Sequence, residues 1–504
     1  MKINLLNIIS TFLKLKTNQN ILWNLLGGLV SGIVIIFVTP LYLKNLGFDG
    51  YGILSFWLMM QVMMGLLDMG IGATMIRKFA NPSSDNTQVK YKHDLLRTIE
   101  IFYWGISMVL LLATIILSDR VGTNFLNSKI YSHSQVIQIV KLIGVALAFQ
   151  LPCGVYLSCL SGLQIHGKMN AIQIVGTIFR HCLGILILIF ISDLTLFFVF
   201  QIFISFFQTA ISRWIIWNEI KRNITSKPEF NLSILKSIWR FSIGMAFTSL
   251  TAVLLANVDK LVLSKMVTTG ELGKYSIAFA ATGILQLGIQ PFYRSFFPRY
   301  SELVSAGESI ELEKEYFESN RIVAIFIITI GIIGFIFANE LFSIWLQKII
   351  DSELINVFRV LIFSITLSGL MWLPAAFQQS HGWTKLHIIM ISSATIIGTP
   401  IMILLIPKVG IIGATTVWLI HGVSEITIGL WLMHRRLLIG KFIPWIVDVI
   451  IPPLLIGLSI VVISKMMFPV NIGKIGSLIW IFTTVLITLS INFYYSVIAK
   501  SIRK

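Results

Sequence analysis

Apolar residues occur along this chain in long blocks separated by short polar turns. A membrane-crossing helix needs about 20 mainly apolar residues. Blocks of that length predict spans near 20–43, 51–76, 98–118, 136–161, 171–192, 194–217, 241–264, 273–297, 321–346, 354–378, 386–407, 412–433, 444–464 and 475–498. That is fourteen, an even number, which puts both termini on one side. The pattern is least regular at 136–161, which holds Lys141 and Pro152, and at the closely joined pair around Asp193. Loops stay within about 25 residues, which leaves no room for a soluble domain.

The blocks repeat. "LYLKNLGFDGYGILSF" from Leu41 matches "LVLSKMVTTGELGKYSIAF" from Leu261. "LLDMGIGATMIRKFA" (66–80) matches "ILQLGIQPFYRSFFPRY" (284–300). Spans 1–2 thus correspond to spans 7–8 in the same direction, a parallel repeat of two six-span lobes. Such repeats mark transporters, with the substrate site between lobes near mid-membrane. The predicted organisation is an amphipathic cytoplasmic N-terminus (1–19), an N-lobe (20–217), a cytoplasmic linker (218–240), a C-lobe (241–433), and two extra spans with a tail (434–504). The predicted fold class is an all-α polytopic membrane protein.

Composition agrees. Mean hydropathy is +0.86 and 12% of residues are charged, against about 25% in soluble domains, so the chain cannot cover itself with a polar surface. The net charge of +17 would otherwise suggest nucleic acid. Here it follows from the Lys/Arg bias of short cytoplasmic loops. With the N-terminus inside, Lys and Arg divide 25 inside to 9 outside, which predicts cytoplasmic termini and no nucleic-acid partner. Cys153, Cys159 and Cys182 lie in apolar segments without metal-site spacing. The N-terminal stretch is basic and amphipathic without a small-residue cleavage site. No GxxxxGK[ST] loop is present, so ATP hydrolysis by that route is not expected. The tract 308–320 reads as a short, solvated cytoplasmic helix.

Eight charged residues of the predicted spans stand out as candidates: Asp68, Lys141, Arg180, Asp259, Lys260, Arg294, Arg359 and Glu425. A charge at the bilayer centre costs about 2.5–3.5 kcal/mol on insertion scales, so these are candidate functional groups. Gln286, Gln290 and Arg294 are four apart and share a helix face; Pro291 interrupts their stripe. His421 and Glu425 are likewise four apart, and His181 adjoins Arg180. Asp259 and Lys260 are adjacent, so their side chains diverge by about 100° and are not expected to pair face to face. Bland readings stand beside these. Lys260 can snorkel to the interface, Arg359 can be interfacial, Asp68 can cap the turn in "DMGIG", and His421–Glu425 can be a structural pair. Five cations against three acids favour an anionic substrate such as pyrophosphate, gripped by Arg. Arg180, Arg294, Lys260, Arg359, Gln286 and Gln290 are therefore the candidate substrate contacts. Asp68, Asp259 and Glu425 are the candidate ion-coupling acids.

The stretches "GGLVSGIVIIFVTPLYLKNLGFDGYGILSF", "NVDKLVLSKMVTTGELGKYSIAFA" and "PFYRSFFPRYSELVSAG" resemble bacterial polysaccharide repeat-unit flippases. These are the Wzx-type O-antigen and capsule exporters of the multidrug/oligosaccharidyl-lipid/polysaccharide exporter superfamily. The resemblance covers the whole chain in hydropathy and is most specific over 20–80 and 240–305. It implies movement of undecaprenyl-pyrophosphate-linked oligosaccharide from the inner to the outer leaflet of the cytoplasmic membrane, by rocking of two lobes about a cavity lined by spans 1, 2, 7 and 8. It implies no cofactor, with H⁺ or Na⁺ coupling as a family option. Membrane lipids and the polysaccharide polymerase and chain-length machinery are its candidate partners. A multidrug exporter and a peptidoglycan-precursor flippase are alternatives within the superfamily. A membrane-embedded glycosyltransferase or polymerase would need a large outer loop with catalytic groups, and the longest, 119–135, has Asp119 as its one acid.

Overall fold

A computed structural model describes residues 16–68, 70–81, 86–220, 227–347, 351–469 and 472–502. Most of the expected N-terminal surface helix (1–15), part of the expected linker (221–226) and residues 503–504 lie outside them. The described chain is helical, with one isolated parallel bridge, Asn127 to Thr268.

The helices, in order, are α1 (Lys16–Asp68), α2 (Ile71–Ala80), α3 (Asn86–Asn124), α4 (His133–Gly162), α5 (His166–Ile191), α6 (Leu194–Ile220), α7 (Leu232–Met266), α8 (Thr269–Ala306), α9 (Ser309–Ile336), α10 (Ala338–Trp345), α11 (Ser352–Gly369), α12 (Trp372–Ser380), α13 (Lys385–Val409), α14 (416–437), α15 (Phe442–Met466) and α16 (Gly473–Ile502). Among the described residues eleven helical stretches are long and apolar enough to cross a membrane, where the sequence predicts fourteen spans. Two of the eleven, Leu26–Asp68 (43 residues) and Lys385–Leu437 (53 residues), each run beyond about 60 Å at 1.5 Å per residue, twice a hydrocarbon core. Each covers two predicted spans and breaks at a glycine, Gly47 (φ 63°) and Gly410 (φ 69°). A left-handed backbone there is cheap only without a Cβ. The helix α7 covers predicted span 7 but is not among the eleven.

Other breaks follow local chemistry. Between α5 and α6, Ser192 takes a positive φ and the Asp193 carboxylate accepts from the Thr195 amide at 2.7 Å, a side-chain cap. The tract 308–320 is not a separate short helix. It is the first three turns of α9, continuous with the apolar run after it. Predicted span 9 (321–346) ends early, at Ile336, and resumes as α10. The helix α8 runs unbroken through Pro291 and Pro298, so Pro291 does not interrupt the Gln286–Arg294 stripe.

The chain forms two compact units, Met1–Asn257 with Thr268–Gly270, and Val258–Val267 with Glu271–Lys504. The core of the first packs Ile71, Met75, Phe79, Leu95, Ile99, Tyr103, Val155, Tyr156 and Ile216 from α2, α3, α4 and α6. The core of the second is built on Tyr300, Tyr316, Phe337, Phe377, Met433 and Trp445. In lipid there is no hydrophobic drive between helices, so close backbone approach over small residues replaces it. A Cβ on Gly144 would lie 2.2 Å from Thr114, and one on Gly422 2.5 Å from the Ser364 carbonyl. Large apolar side chains such as Ile116, Phe190, Ile396 and Leu404 face outward, as a lipid-facing surface requires.

Candidate functional site

In the first unit, a cavity of about 540 Å³ opens among six helices. Its polar lining comes from Gln61 and Asp68 on α1, Tyr103 on α3, Gln150 and Ser158 on α4, Gln173 on α5 and Gln208 on α6. Gln61 donates to Gln150 at 2.9 Å. Asp68 is the last residue of α1, where Gly70 (φ 72°) reverses the chain into α2. Its carboxylate accepts from the Gly72 amide at 3.1 and 3.2 Å and from the Tyr103 hydroxyl at 2.7 Å. Asp68 therefore caps the glycine turn and faces the cavity at once.

Arg180 stands behind this cavity wall. It is buried, in a π-helical turn (Phe179–Leu183) within α5; such turns often occur at functional sites. One guanidinium nitrogen, Nη2, donates to Gln208 Oε1 at 3.0 Å, and the group lies 5.5 Å from the centre of the Trp57 ring. Gln201 holds the Arg180 carbonyl at 3.1 Å, and Tyr42 contacts His181 Nδ1 at 3.2 Å. Arg180 Nη1 is buried without a hydrogen-bond partner, and no acid lies within ion-pair reach of Arg180 among the described residues. The site is thus a buried cation without a counter-ion beside an amide-lined cavity, which suits an anionic ligand.

The second unit holds two polar clusters. Asp259 is fully buried. Its carboxylate accepts from Tyr275 Oη at 2.5 Å, Trp418 Nε1 at 2.8 Å and the Lys260 amide at 2.8 Å. Lys260 does not diverge from its neighbour as the helical geometry suggested. Its long stem curls back, bringing Nζ to 3.9 Å from Asp259 Oδ1 and 3.6 Å from the centre of the Phe279 ring. The ammonium is screened from lipid by a carboxylate and an aromatic face, with its side chain 12% exposed, rather than snorkelled out. In the other cluster, Glu425 opens a π-helical turn (Glu425–Gly429). Its carboxylate lies 3.6 Å from His421 Nε2 and 3.4 Å from His387 Nδ1.

The remaining candidates are less enclosed. Arg294 is exposed and donates to Gln290 at 3.2 Å, with Gln286 one turn further along the same face. Arg359 donates to the Phe335 carbonyl at 3.3 Å and to Asn356 at 3.5 Å. Lys141 is exposed. Among the aromatic residues, Trp57 and Tyr275 are core residues, and Tyr293 donates to Gln379 at 2.8 Å. Three elements escaped the sequence reading. The cavity glutamines are uncharged, so a search for charge passes over them. Glu100 is buried and accepts from Arg97 at 3.0 Å, Tyr156 at 2.8 Å and Arg213; its place two residues into span 98–118 was the available signal. His387 lies on α13, with nothing in its own segment to pair it with Glu425. No cluster of three or more His, Cys, Asp or Glu able to hold a metal occurs among the described residues.

The comparisons with known proteins agree with this architecture. Residues 17–304 match the family described as polysaccharide biosynthesis protein. A Shigella flexneri protein named "Putative O-antigen transporter" is 22% identical over 422 residues, 83% of this chain and 97% of that one. Among solved structures, the lipid II flippase MurJ in an inward closed conformation matches at TM-score 0.67 and 15% identity, covering 95% of this chain and all of MurJ. An inward-facing multidrug resistance MATE transporter matches at TM-score 0.61 and 14% identity, covering 83% of this chain and 94% of its own. The relatives are transporters and flippases, not enzymes. This chain is a multi-pass membrane protein, with the fold of those exporters, and it belongs to the polysaccharide biosynthesis protein family.

Proposed function

We propose that this protein is a flippase for undecaprenyl-pyrophosphate-linked oligosaccharide repeat units. It carries them from the inner to the outer leaflet of the cytoplasmic membrane by alternating access, in the synthesis of a surface polysaccharide. The observation that carries the reading is Arg180, a buried guanidinium without a counter-ion, tied through Gln208 to an amide-lined cavity. A pyrophosphate oxygen is the partner Nη1 lacks. The glutamines at 61, 150, 173 and 208 both donate and accept, as sugar hydroxyls require. A volume near 540 Å³ falls in the usual range for small-molecule sites, about 300–1,000 Å³.

In this reading Arg294, with Gln286 and Gln290, forms a polar stripe on the second unit, and these residues with Lys260 and Arg359 are that unit's candidate substrate contacts. Asp68, Asp259 and Glu425 are the acids available for H⁺ or Na⁺ coupling. Both termini lie in the cytoplasm, in keeping with the Lys/Arg distribution, and the polymerase and chain-length machinery receive the product outside.

The test is genetic. Expression in a strain lacking its own repeat-unit flippase is expected to restore surface polysaccharide. Arg180→Ala and Arg180→Lys are expected to fail while accumulating in the membrane, because an ammonium cannot reproduce the guanidinium fork. Full export by Arg180→Ala would remove the pyrophosphate site. Rescue of a strain depleted of its peptidoglycan-precursor flippase, without polysaccharide rescue, would move the substrate to that precursor.

A further inference from the structure

The three candidate coupling acids are built differently, and among the described residues Glu425 is the one whose ion-pair neighbours are histidines. Asp259 spends its carboxylate on three strong donors at 2.5–2.8 Å and a lysine. Asp68 spends its own on the Gly72 amide and the Tyr103 hydroxyl. Glu425 is nearly as deeply buried as Asp259, 3% exposed, yet its ion-pair neighbours among the described residues are two imidazoles, at 3.4 and 3.6 Å. A buried carboxylate without a permanent cation or strong donors is costly when ionised. An imidazole can relieve it only by bringing a proton.

We propose that His387, Glu425 and His421 form a proton-binding site, and that H⁺ is the coupling ion. The proposal rests on the flippase reading for the word coupling, but not for the site. The proton comes from water through His387, whose side chain is 38% exposed. It adds to the Glu425 carboxylate and neutralises it, with the two imidazoles beside it as the relay. The donor set disfavours Na⁺, a hard cation that wants several oxygen ligands, because two of the three groups are imidazoles. His421 Nδ1 is buried without a partner, so the ring is not locked into one tautomer by a second hydrogen bond.

The surroundings leave the cluster in control of its own charge. On α13 the other charged residues, Lys385 and Lys408, are exposed. From α11 the Ser364 carbonyl and Leu367 face Gly422, while Glu353 of that helix binds Lys274 and Arg359 turns to the Phe335 carbonyl. Along α14, His434 contacts Tyr316 and the Leu430 carbonyl, and Arg435 and Arg436 lie over Trp431 and Trp383. Among the described residues Trp418 is a nearby link: it donates to Asp259 and meets the His421 ring edge-on at 6.4 Å between centres. A change of charge at His421 is thereby passed to the Asp259–Lys260 cluster. The π-turn at Glu425 gives the backbone local freedom to follow it.

The test uses the full chain in liposomes. Infrared difference spectra, taken on acidification from about pH 8 to 5, are expected to show a growing protonated-carboxyl band that Glu425→Gln lacks. His387→Gln, a substitution at a half-exposed position, should keep the band and move its midpoint. Identical bands in wild type and Glu425→Gln overturn the site. If Glu425→Gln does not fold, an unmoved midpoint in His387→Gln overturns it. A second arm supplies undecaprenyl-pyrophosphate oligosaccharide and imposes either a pH or a Na⁺ gradient. One unit of pH gradient is expected to change flipping by up to about tenfold per coupled proton, with no response in Glu425→Gln. Flipping driven by Na⁺ with a silent carboxyl band overturns the proton site and leaves the flippase standing. A responsive band without flipping of any glycan does the reverse.

Discussion

Removal of the Asp259 carboxylate should destabilise the second unit more than any other single change at the candidate residues. In Asp259→Ala the Tyr275 hydroxyl, the Trp418 indole N–H and the Lys260 amide lose the acceptor they share, and the Lys260 ammonium loses its counter-charge at 3.9 Å. Breaking a buried pair by removing one partner costs about 3–5 kcal/mol. A single hydrogen bond to a charged group is worth about 1.5–3 kcal/mol, which sets the expected cost of Tyr275→Phe. The two residues share one interaction, so the double mutant should be no less stable than Asp259→Ala alone, with a coupling of about 1.5–3 kcal/mol. Unfolding of the detergent-solubilised chain, followed by loss of the monodisperse chromatographic peak on heating, gives the ranking. Additive losses, or an Asp259→Ala variant as stable as wild type, would refute the shared-acceptor account.

Glu100→Gln should also destabilise, because Arg97, Arg213 and Tyr156 converge on that carboxylate; it should reduce the amount of folded protein in the membrane. Gly70→Ala forces a side chain into a left-handed backbone (φ 72°), at about 1–2 kcal/mol, and should lower the thermal midpoint while Gly28→Ala, with open space around it, should not. Burial tends to raise the Asp351 carboxyl, but the Lys274 ammonium and the Leu354 and Glu353 amides outweigh it and hold the group below the usual carboxylate range. A depressed acid contributes stability above its unfolded value, near 3.9, and loses it as pH falls through the folded value. Wild type and Asp351→Asn should therefore differ in thermal midpoint near neutrality and converge in acid; a constant gap would contradict the bridge.

Much of the fold was legible because the bilayer imposes it. A run of about 20 apolar residues has few alternatives to a helix, and the turns at Gly47, Asp193 and Gly410 sit where polar residues interrupt those runs. Where helices merge was not legible, since Gly47 and Gly410 bend the chain without ending its hydrogen bonding by much. Long-range partners were legible only within one helix. The four-residue spacing placed His421 with Glu425 and Gln290 with Arg294, and both contacts are present. Nothing local could join Arg180 to Gln208, Asp259 to Trp418, or Glu425 to His387, because those contacts depend on how separate helices cross. The Lys260 reading failed for a related reason. Helical geometry fixes where a Cβ points, but a four-carbon stem can turn its ammonium back toward the neighbouring residue.

The central claim, movement of a lipid-linked oligosaccharide, is tested most directly in proteoliposomes. Purified protein would be reconstituted with fluorescent undecaprenyl-pyrophosphate oligosaccharide, and a membrane-impermeant reagent would report the leaflet that holds it. The account predicts protein-dependent exchange between leaflets that Arg180→Ala loses. Exchange no faster than in protein-free liposomes, across several glycans and with pH and Na⁺ gradients imposed, would contradict it.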